Sequence, residues 1–523
     1  MPTTIAPEHT PAQSVGGSLV GRPPAWLITL AALAVATVAI PLVYLGVRAS
    51  DVALSDIVEI LARPLVGELV LNTIGLSVTV SATAVAMGTA IATIVTRLRI
   101  GAARTWLLIS ALPLAVPSYL ASYGWLVLVP GLHGFVPSWA LLSAVTIPYV
   151  TLPVAAVLRG TSADGEAVAR TLGLSPTRAF WRVTWPQVRP AAIAGGLLVF
   201  LYTLSDFGLV AMMRFQTLTW GVQQAYAASF DRSQAAVLAL LLVIIAVIVV
   251  AAERGARGTL TRSTALHAAK EPLSPVMRVI FTALVAVPPV VGVLIPLIGL
   301  GSRLAEATTL RSISVERLAE ATTTTIGVSV AAAVVALILA LPIAALAARY
   351  RSKWIPVFEG AGYLSNGLPG IVVGLSLVFF SLSVIPALYQ TVVVLVFAYA
   401  VLFMPKALGT ARASIEGVSL DLVNVARTLG STRLQAWWRV TVPLALPGIG
   451  IGALLVAITT MKELPATLLL RPLGSSTLAT ELWSRTAAGE FGAAAPYAAA
   501  LVVVAAIPAM ILSGVRSVAK EEL

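Results

Sequence analysis

The sequence lacks cysteine altogether and contains only three histidines in 523 residues. Without cysteine, the chain can form no disulfide, no thiolate metal site and no cysteine nucleophile. The histidines, His9, His133 and His267, lie far apart in the sequence, so a metal centre built from histidine is not expected. The residues alone leave any metal ligand unknown.

Charge is also scarce. Charged residues make up 11% of the chain, where a soluble domain carries about 25%. Hydrophobic residues make up 58%, and the mean hydropathy is +0.95. This composition predicts a membrane protein with many spans, surrounded by lipid. The net charge of +12 is explained by lysine and arginine collecting on cytoplasmic loops, so no nucleic-acid partner is expected.

Several catalytic motifs are missing as well. The sequence has no GxxxxGK[ST] phosphate loop, no GxSxG and no HExxH. The first absence argues against ATP binding in the P-loop manner, and the others against common hydrolase chemistry. We therefore expect a chain that is not an enzyme by itself and binds no cofactor.

Twelve apolar segments have about the 20-residue length that crosses a bilayer. They predict an all-α membrane protein with about 12 transmembrane helices, in two sets of six. The first set lies at about 25–48, 69–95, 105–130, 139–158, 191–213 and 234–252. The second set lies at about 277–300, 322–348, 360–383, 389–410, 446–470 and 494–515.

Arginine and lysine alternate between the loops. The segment 159–189 carries five arginines, whereas 51–68 carries four acids against one arginine. Because basic residues mark cytoplasmic loops, this asymmetry predicts that both termini lie in the cytoplasm.

The two sets of helices are copies of one another. "EAVARTLGLSPTRAFWRVTWPQVRP" begins at Glu166, and "VNVARTLGSTRLQAWWRVTVPLALP" begins 257 positions later at Val423. "NTIGLSV" at Asn72 returns 252 positions later as "TTIGVSV" at Thr324. Six spans per copy predict two parallel repeats related by an axis along the membrane normal, with a pathway between them. The predicted divisions are a disordered tail 1–24, a first repeat 25–252, a cytoplasmic linker 253–276 and a second repeat 277–523.

Two polar inserts, 163–187 and 420–444, each predict a helix–glycine–helix elbow. Each first helix is expected to begin at an aspartate N-cap and to end at a glycine with positive φ: Asp164 and Gly173, then Asp421 and Gly430. Ser175 and Thr432 are expected to cap the second short helix, and Pro186 and Pro443 to end it. An amphipathic helix resting on lipid headgroups is the alternative.

These elbows resemble the "EAA" loops of binding-protein-dependent ABC importer permeases. The first elbow has Glu166, Ala167, Gly173 and Pro186; the second has Val423 and Asn424 where Glu and Ala would stand. The resemblance implies the ABC importer permease fold in a bacterial inner membrane, two cytoplasmic ATP-binding cassette subunits that use ATP and Mg, and a periplasmic or lipid-anchored binding protein. The implied coupling residues are Glu166, Ala167, Ala169, Arg170, Gly173, Pro186, Ala426, Arg427, Gly430 and Pro443.

The fifth segment of each repeat carries charge. Asp206 lies in "TLSDFGLVAMMRF", and Lys462 and Glu463 lie in "TTMKELPATLLLRP". Charge in a span costs about 2.5–3.5 kcal/mol on insertion scales, so such residues usually face a cavity or a partner. A pathway or gate role is one interpretation, and helix-end structure is the other. Pro117 and Pro369 likewise mark either bends in the pathway or ordinary packing.

The phrases "KELPATLLLRP", "DFG" and "RFQTLTW" resemble the fused permeases of bacterial ferric-iron importers. The resemblance implies Fe³⁺ as cargo; thiamine, sulfate, molybdate, phosphonate and polyamine carriers share the elbow and stay alternatives. A 12-helix secondary transporter is a rival class, but it leaves the elbows unexplained. So does a channel or membrane scaffold.

Overall fold

The computed structural model describes residues 23–160, 164–228, 232–256, 273–306, 309 and 313–521. Regular structure in these residues is helical. Most of the predicted tail (1–22) and of the predicted linker (257–272) lies outside the described residues.

The helices of the first predicted repeat are named in chain order. They are α1 (Ala25–Ser50), α2 (Leu54–Ala62), α3 (Pro64–Arg97), α4 (Ala103–Ala111), α5 (Ser118–Leu128), α6 (Phe135–Thr146), α7 (Pro148–Gly160), α8 (Asp164–Thr171), α9 (Pro176–Ala179), α10 (Trp185–Ser205), α11 (Gly208–Met212), α12 (Leu218–Gln223) and α13 (Arg232–Ala256). A 3₁₀ turn occupies Leu112–Ala115, and π-helical turns occupy Phe180–Thr184 and Gln224–Ala228.

The second predicted repeat follows the same order. Its helices are α14 (Pro275–Pro289), α15 (Ile295–Leu304), α16 (Val315–Arg349), α17 (Ile355–Gly362), α18 (Gly370–Val384), α19 (Val392–Gly417), α20 (Leu420–Thr428), α21 (Arg433–Ala436), α22 (Val442–Met461), α23 (Pro465–Leu470), α24 (Leu478–Ala487) and α25 (Phe491–Glu521). 3₁₀ turns lie at Leu364–Gly367 and Pro386–Leu388, and π-helical turns at Val290–Leu294 and Trp437–Thr441.

Within the described residues, ten helical segments are long and apolar enough to cross a membrane. An eleventh is a pair, Ala103–Ala115 and Ser118–Leu128, bent by 90°, and α18 is a shorter apolar helix. The predicted third and ninth spans are therefore broken rather than continuous. Pro117 and Pro369 stand with extended backbone before α5 and α18, because a proline lacks the N–H that would continue the helix.

The predicted fifth and eleventh spans also end early. Continuous segments at 191–213 and 446–470 were expected, but the long helices end at Ser205 and Met461. Short helices α11 and α23 follow, after a break that contains the charged residues. The expectation of continuous spans was wrong because hydropathy averages over a break of two or three residues.

Pro186 and Pro443 do not end a helix, contrary to the prediction. Helix continues through both, as 29-residue segments Thr177–Ser205 and Arg433–Met461. A π-helical turn ends two residues before each proline. The following residue donates its N–H five residues back, from Trp185 to Phe180 O and from Val442 to Trp437 O. The wider turn accommodates the proline, which would otherwise clash with the carbonyl four residues earlier.

The described chain forms two compact units. The larger comprises Pro41–Ser329, Gly367–Ala398 and Ile458–Leu523. In its core, α3, α7 and α10 pack closely through glycines: a Cβ on Gly88 would lie 2.7 Å from Val150 Cβ, and one on Gly195 would lie 2.8 Å from Tyr149 O. Small residues allow such approach between membrane helices, where packing rather than water exclusion stabilises the pair.

The larger unit also joins residues of both predicted repeats. Gly124 of α5 contacts the backbone of Pro296 and Gly299 on α15 so closely that neither glycine has room for a side chain. Trp125 Nε1 donates a hydrogen bond of 2.9 Å to Val291 O. The first span of the second repeat therefore packs against the broken third span of the first.

The smaller unit comprises Met1–Ile40, Val330–Asn366 and Tyr399–Ala457. Within it, Gly448 and Gly452 of α22 face Ser414 and Thr410 of α19, with no space for a Cβ. The buried Arg349 at the end of α16 donates a 3.0 Å hydrogen bond to Val418 O, directly before α20. This bond fixes the start of the second polar insert to a long apolar helix.

Candidate functional site

The first elbow consists of α8 and α9 joined by a glycine turn. Gly173 has φ +87°, a region that a residue without Cβ enters without steric cost. Leu174 N–H donates to Ala169 O at 3.1 Å, and Gly173 N–H donates to Arg170 O at 3.0 Å. This pair of bonds is a Schellman motif, which satisfies the last carbonyls of α8.

The second elbow repeats that turn bond for bond. Gly430 has φ +91°. Ser431 N–H donates to Ala426 O at 3.0 Å, and Gly430 N–H donates to Arg427 O at 3.1 Å. The predicted positive-φ glycines are thereby confirmed.

The helix starts agree only in part with the prediction. Ser419, not Asp421, caps α20: its side chain accepts from Asp421 N–H at 3.2 Å. Asp421 lies in the first turn, where a negative charge is favourable beside the free amides. The first helix begins at Asp164, whose side chain lies outside the described residues.

The second short helices start as predicted. Thr432 forms a capping box with Gln435, in which Gln435 N–H donates to Thr432 Oγ1 at 3.2 Å and Thr432 N–H donates to Gln435 Oε1 at 2.9 Å. In the first elbow, Ser175 Oγ accepts from Arg178 N–H at 3.4 Å.

Each elbow exposes two apolar side chains at matching positions. Val168 and Leu172 are 56% and 79% exposed, and Val425 and Leu429 are 54% and 81% exposed. Residues four apart on a helix share a face, so each pair forms one apolar knob on a polar segment. Because both copies expose the same knob, we interpret it as a binding surface and not as part of the chain's own core.

The two elbows differ at one contact. In the first, Thr184 Oγ1 donates a 2.8 Å hydrogen bond to Glu166 Oε2, which ties α8 to the π-helical turn. In the second, Val423 stands at the position of Glu166, so this side-chain bond has no counterpart there. The glutamate thus supports the fold of its own elbow.

Asp206 lies at the break between α10 and α11 and is only 8% exposed. Its Oδ1 accepts from Leu209 N–H at 3.0 Å and from Val210 N–H at 3.4 Å. Ser118 Oγ donates to Oδ2. The carboxylate therefore closes the start of α11, where helix amides have no partner of their own.

Glu463 does the same in the second repeat and is also 8% exposed. Its Oε1 accepts from Ala466 N–H at 3.0 Å, and its Oε2 accepts from Thr467 N–H at 3.1 Å and from Thr467 Oγ1 at 2.9 Å. Both acids therefore bond the amides three and four residues ahead. This is the helix-end arrangement that the sequence left open.

Lys462 does not pair with its neighbour Glu463. Its Nζ donates to Leu114 O at 3.2 Å and to Ala115 O at 3.3 Å, in the 3₁₀ turn before Pro117. Tyr119 Oη donates to the carbonyl oxygen of Lys462 at 3.2 Å. The fifth segment of the second repeat is thereby bonded to the broken third span of the first.

Ser118 and Gly370, which sequence reasoning missed, complete the arrangement. They stand 252 positions apart and open α5 and α18. Ser118 bonds the shorter acid, Asp206, whereas a Cβ on Gly370 would overlap Glu463 Oε1. The longer acid fills the space that the serine occupies in the other copy. Aligning the repeats at both offsets would have paired Ser118 with Gly370 and Asp206 with Glu463, but only the structure shows that each pair across the repeats marks one contact.

The described residues include no group of three or more His, Cys, Asp or Glu side chains that could hold a metal ion. The structure brings together Asp206, Pro117 and Lys462 with Glu463 and Pro369 in one compact unit. The first elbow belongs to the larger unit and the second to the smaller.

Comparison with known proteins gives one family twice. Its model, "Binding-protein-dependent transport system inner membrane component", matches residues 84–253 and again 340–516. The Fe(3+)-transport system permease protein FbpB 2 of Haemophilus influenzae is 32% identical over 500 residues, which covers 94% of this chain and 98% of that protein.

Other relatives match shorter stretches. The molybdenum transport system permease protein ModB of Mycobacterium tuberculosis is 39% identical over 64 residues, 12% of this chain and 24% of that protein. The sulfate transport system permease protein CysW of Synechocystis sp. is 36% identical over 118 residues, 20% of this chain and 42% of that protein.

Proposed function

We propose, on the premise that this chain belongs to the family of binding-protein-dependent transport system inner membrane components, that it is the membrane subunit of an ABC importer for ferric iron. The chain is a fused two-repeat permease, a transporter rather than an enzyme. The assignment of ferric iron as the cargo rests on the similarity to an Fe(3+) permease along nearly the whole of both chains.

The elbows are the proposed coupling sites for two ATPase subunits. Their turns are the same bond for bond, and each presents an apolar knob beside an arginine, Arg170 or Arg427. A duplicated surface fits a partner that is itself present twice. ATP and Mg would bind to that partner, and this chain would bind no cofactor. The proposed coupling residues also include Glu166, Ala167 and Pro186 of the first elbow and Pro443 of the second.

The breaks in the third and fifth spans are the proposed gate. Pro117 and Pro369 open α5 and α18, and Asp206 and Glu463 cap the helices that follow the fifth spans. Irregular backbone at membrane depth is tolerated where it is buried in protein or lines a cavity. We propose that ATP-driven approach of the elbows moves these segments and opens the route to each side in turn.

The sidedness follows from the same proposal. Both termini and both elbows would face the cytoplasm, in agreement with the distribution of arginine and lysine. A periplasmic or lipid-anchored binding protein would deliver the cargo from the other side.

The test is uptake of radioactive ⁵⁵Fe³⁺ by cells with and without this chain. Iron uptake that depends on the chain and resists competition by molybdate, sulfate, thiamine, phosphonate and polyamine supports the proposal. Uptake of labelled molybdate or sulfate instead of iron would overturn the cargo assignment but not the permease assignment. The shorter matches to molybdenum and sulfate permeases would be consistent with that result.

A further inference from the structure

The ammonium group of Lys462 lies against a break in a helix. Its two acceptors, Leu114 O and Ala115 O, belong to the 3₁₀ turn that ends directly before Pro117. In a continuing 3₁₀ helix, Leu114 O would accept from the residue three positions on, but Pro117 has no N–H. Lys462 supplies a donor at this position, and a positive charge is favourable beside the carbonyls at a helix end.

This contact joins distant parts of the chain. The acceptors lie 348 and 347 residues before Lys462, in the other predicted repeat. A second bond runs the opposite way, from Tyr119 Oη to Lys462 O. Gly208 leaves room for this tyrosine, since a Cβ there would lie 2.8 Å from Tyr119 Cβ and 3.2 Å from Leu464 Cδ2.

The contact is one-sided. The acids that follow correspond across the repeats, Asp206 to Glu463, and both cap a short helix. The residue before Asp206 is Ser205, where the second repeat has Lys462. A serine side chain is too short to make the same reach to a facing turn. The two halves of the proposed gate are therefore built differently.

We propose that Lys462 is a positioning residue for transport, a tie from the second repeat that holds the broken third span of the first repeat and releases during each cycle. The inference rests on the proposed function, because a tie between repeats matters only if the repeats move. It adds that a lysine of the second repeat holds the third span of the first, whereas Ser205 at the matching position of the first repeat is too short to hold the third span of the second. The two halves are therefore not equivalent in the cycle.

The test uses the complete complex, with its ATPase and binding protein, in proteoliposomes. Lys462→Met removes the donor and keeps an unbranched side chain that is one atom shorter. We expect uptake, and the ratio of binding-protein-stimulated to basal ATPase activity, to fall roughly tenfold, as expected for losing hydrogen bonds to a charged group. Lys462→Arg, which can still donate to both carbonyls, should recover most of both values.

Lys353→Met is the matched control, because that lysine contacts the ring of Trp354 and belongs to no part of the proposed gate. The proposal would be overturned if Lys462→Met and the unaltered chain had the same ratio of binding-protein-stimulated to basal ATPase activity. An arginine variant as defective as the methionine variant at equal complex yield would also overturn it. Failure of the unaltered complex to transport would instead count against the proposed function.

Release of the tie has its own test, because the chain contains no cysteine. Ala115→Cys and Lys462→Cys together can be joined by short bifunctional thiol reagents, with each single variant as control. Because Lys462→Cys itself removes the donor, the reference is the uptake that remains in the double variant before cross-linking. We expect cross-linking to stop this remaining uptake, and reduction of a cleavable reagent to restore it. Continued uptake by the fully cross-linked protein would show that transport does not require the contact to release, and would overturn the proposed release.

Discussion

At the scale of single residues, the pairs Ser118 with Asp206 and Gly370 with Glu463 are two solutions to one packing problem. In each pair a carboxylate lies against the first residue of the helix that follows the break in the third span. A short acid leaves room for a serine hydroxyl, and an acid longer by one methylene requires glycine. The same volume is filled in both repeats by different residues.

Gly370→Ser should therefore destabilise the proposed gate. The added Cβ would overlap Glu463 Oε1 and force the carboxylate away from Ala466 and Thr467 amides. We expect a loss of about 1–3 kcal/mol from overpacking, measured as a lower midpoint of thermal unfolding in detergent.

The second-site change Glu463→Asp should restore the Gly370→Ser variant by recreating the pair found in the first repeat. Gly75→Ser is the control, since nothing lies within 4 Å of a Cβ at Gly75. A double variant no more stable than Gly370→Ser alone would contradict this account.

Glu166 gives a second residue-scale prediction. Glu166→Ala removes the hydrogen bond from Thr184 and should weaken the first elbow by about 0.5–1.5 kcal/mol. Val423→Ala, at the matching position of the second elbow, should have a smaller effect because no side-chain hydrogen bond is lost there. The measurement is the amount of ATPase that copurifies with each variant; equal losses would refute the assignment.

At the scale of elements, the elbow turn depends on backbone geometry. Gly173 and Gly430 hold φ at +87° and +91°, with nothing within 4 Å of an added Cβ. Crowding is therefore not the obstacle at these positions; backbone strain is. A β-branched residue is the most strained at positive φ.

Gly173→Val and Gly430→Val should each distort the Schellman turn, at a cost of about 1–3 kcal/mol, and uncouple ATP hydrolysis from uptake. The control is Gly417→Val, at the end of α19, where φ is not positive and an added Cβ also meets nothing. The measurement is transported iron per ATP hydrolysed. Normal coupling in both elbow variants would exclude the turn as the coupling element.

The broken spans show how elements are re-used. In both repeats a 3₁₀ turn and a proline interrupt the third span, and an acid caps the short helix after the fifth. Each break leaves backbone groups that lipid cannot satisfy, so side chains from the protein must bond them. The polar residues in these spans are accounted for by this requirement.

At the scale of the whole molecule, the proposed pairing of two elbows with two ATPase subunits can be tested by counting the subunits. If each elbow binds one subunit through its exposed apolar knob, Leu172→Asp and Leu429→Asp alone should each leave a complex with one ATPase, and the double variant with none. Native mass spectrometry of the purified complex measures this directly. In the proposed mechanism the two ATPases close together, so transport should be lost in either single variant. Retention of two subunits in the single variants would contradict the proposal.

The sequence alone determined the number of repeats, the place of the elbows and the kind of protein. These properties are written in local patterns: apolar runs, a glycine at a fixed distance from a helix start, and motifs that return after 252 or 257 residues. Turn geometry at Gly173 and Gly430 followed because only nearby residues decide it.

Only the tertiary structure decided what the charged residues of the fifth spans do. Lys462 and Glu463 are neighbours in sequence, yet one bonds carbonyls 347 and 348 residues away and the other bonds amides in the next turn. It also placed the helix ends at Ser205 and Met461 and carried helix through Pro186 and Pro443. Hydropathy and spacing cannot give these results. The partner of a lysine, and whether a helix continues through a proline, depend on which backbone groups the packing brings within reach.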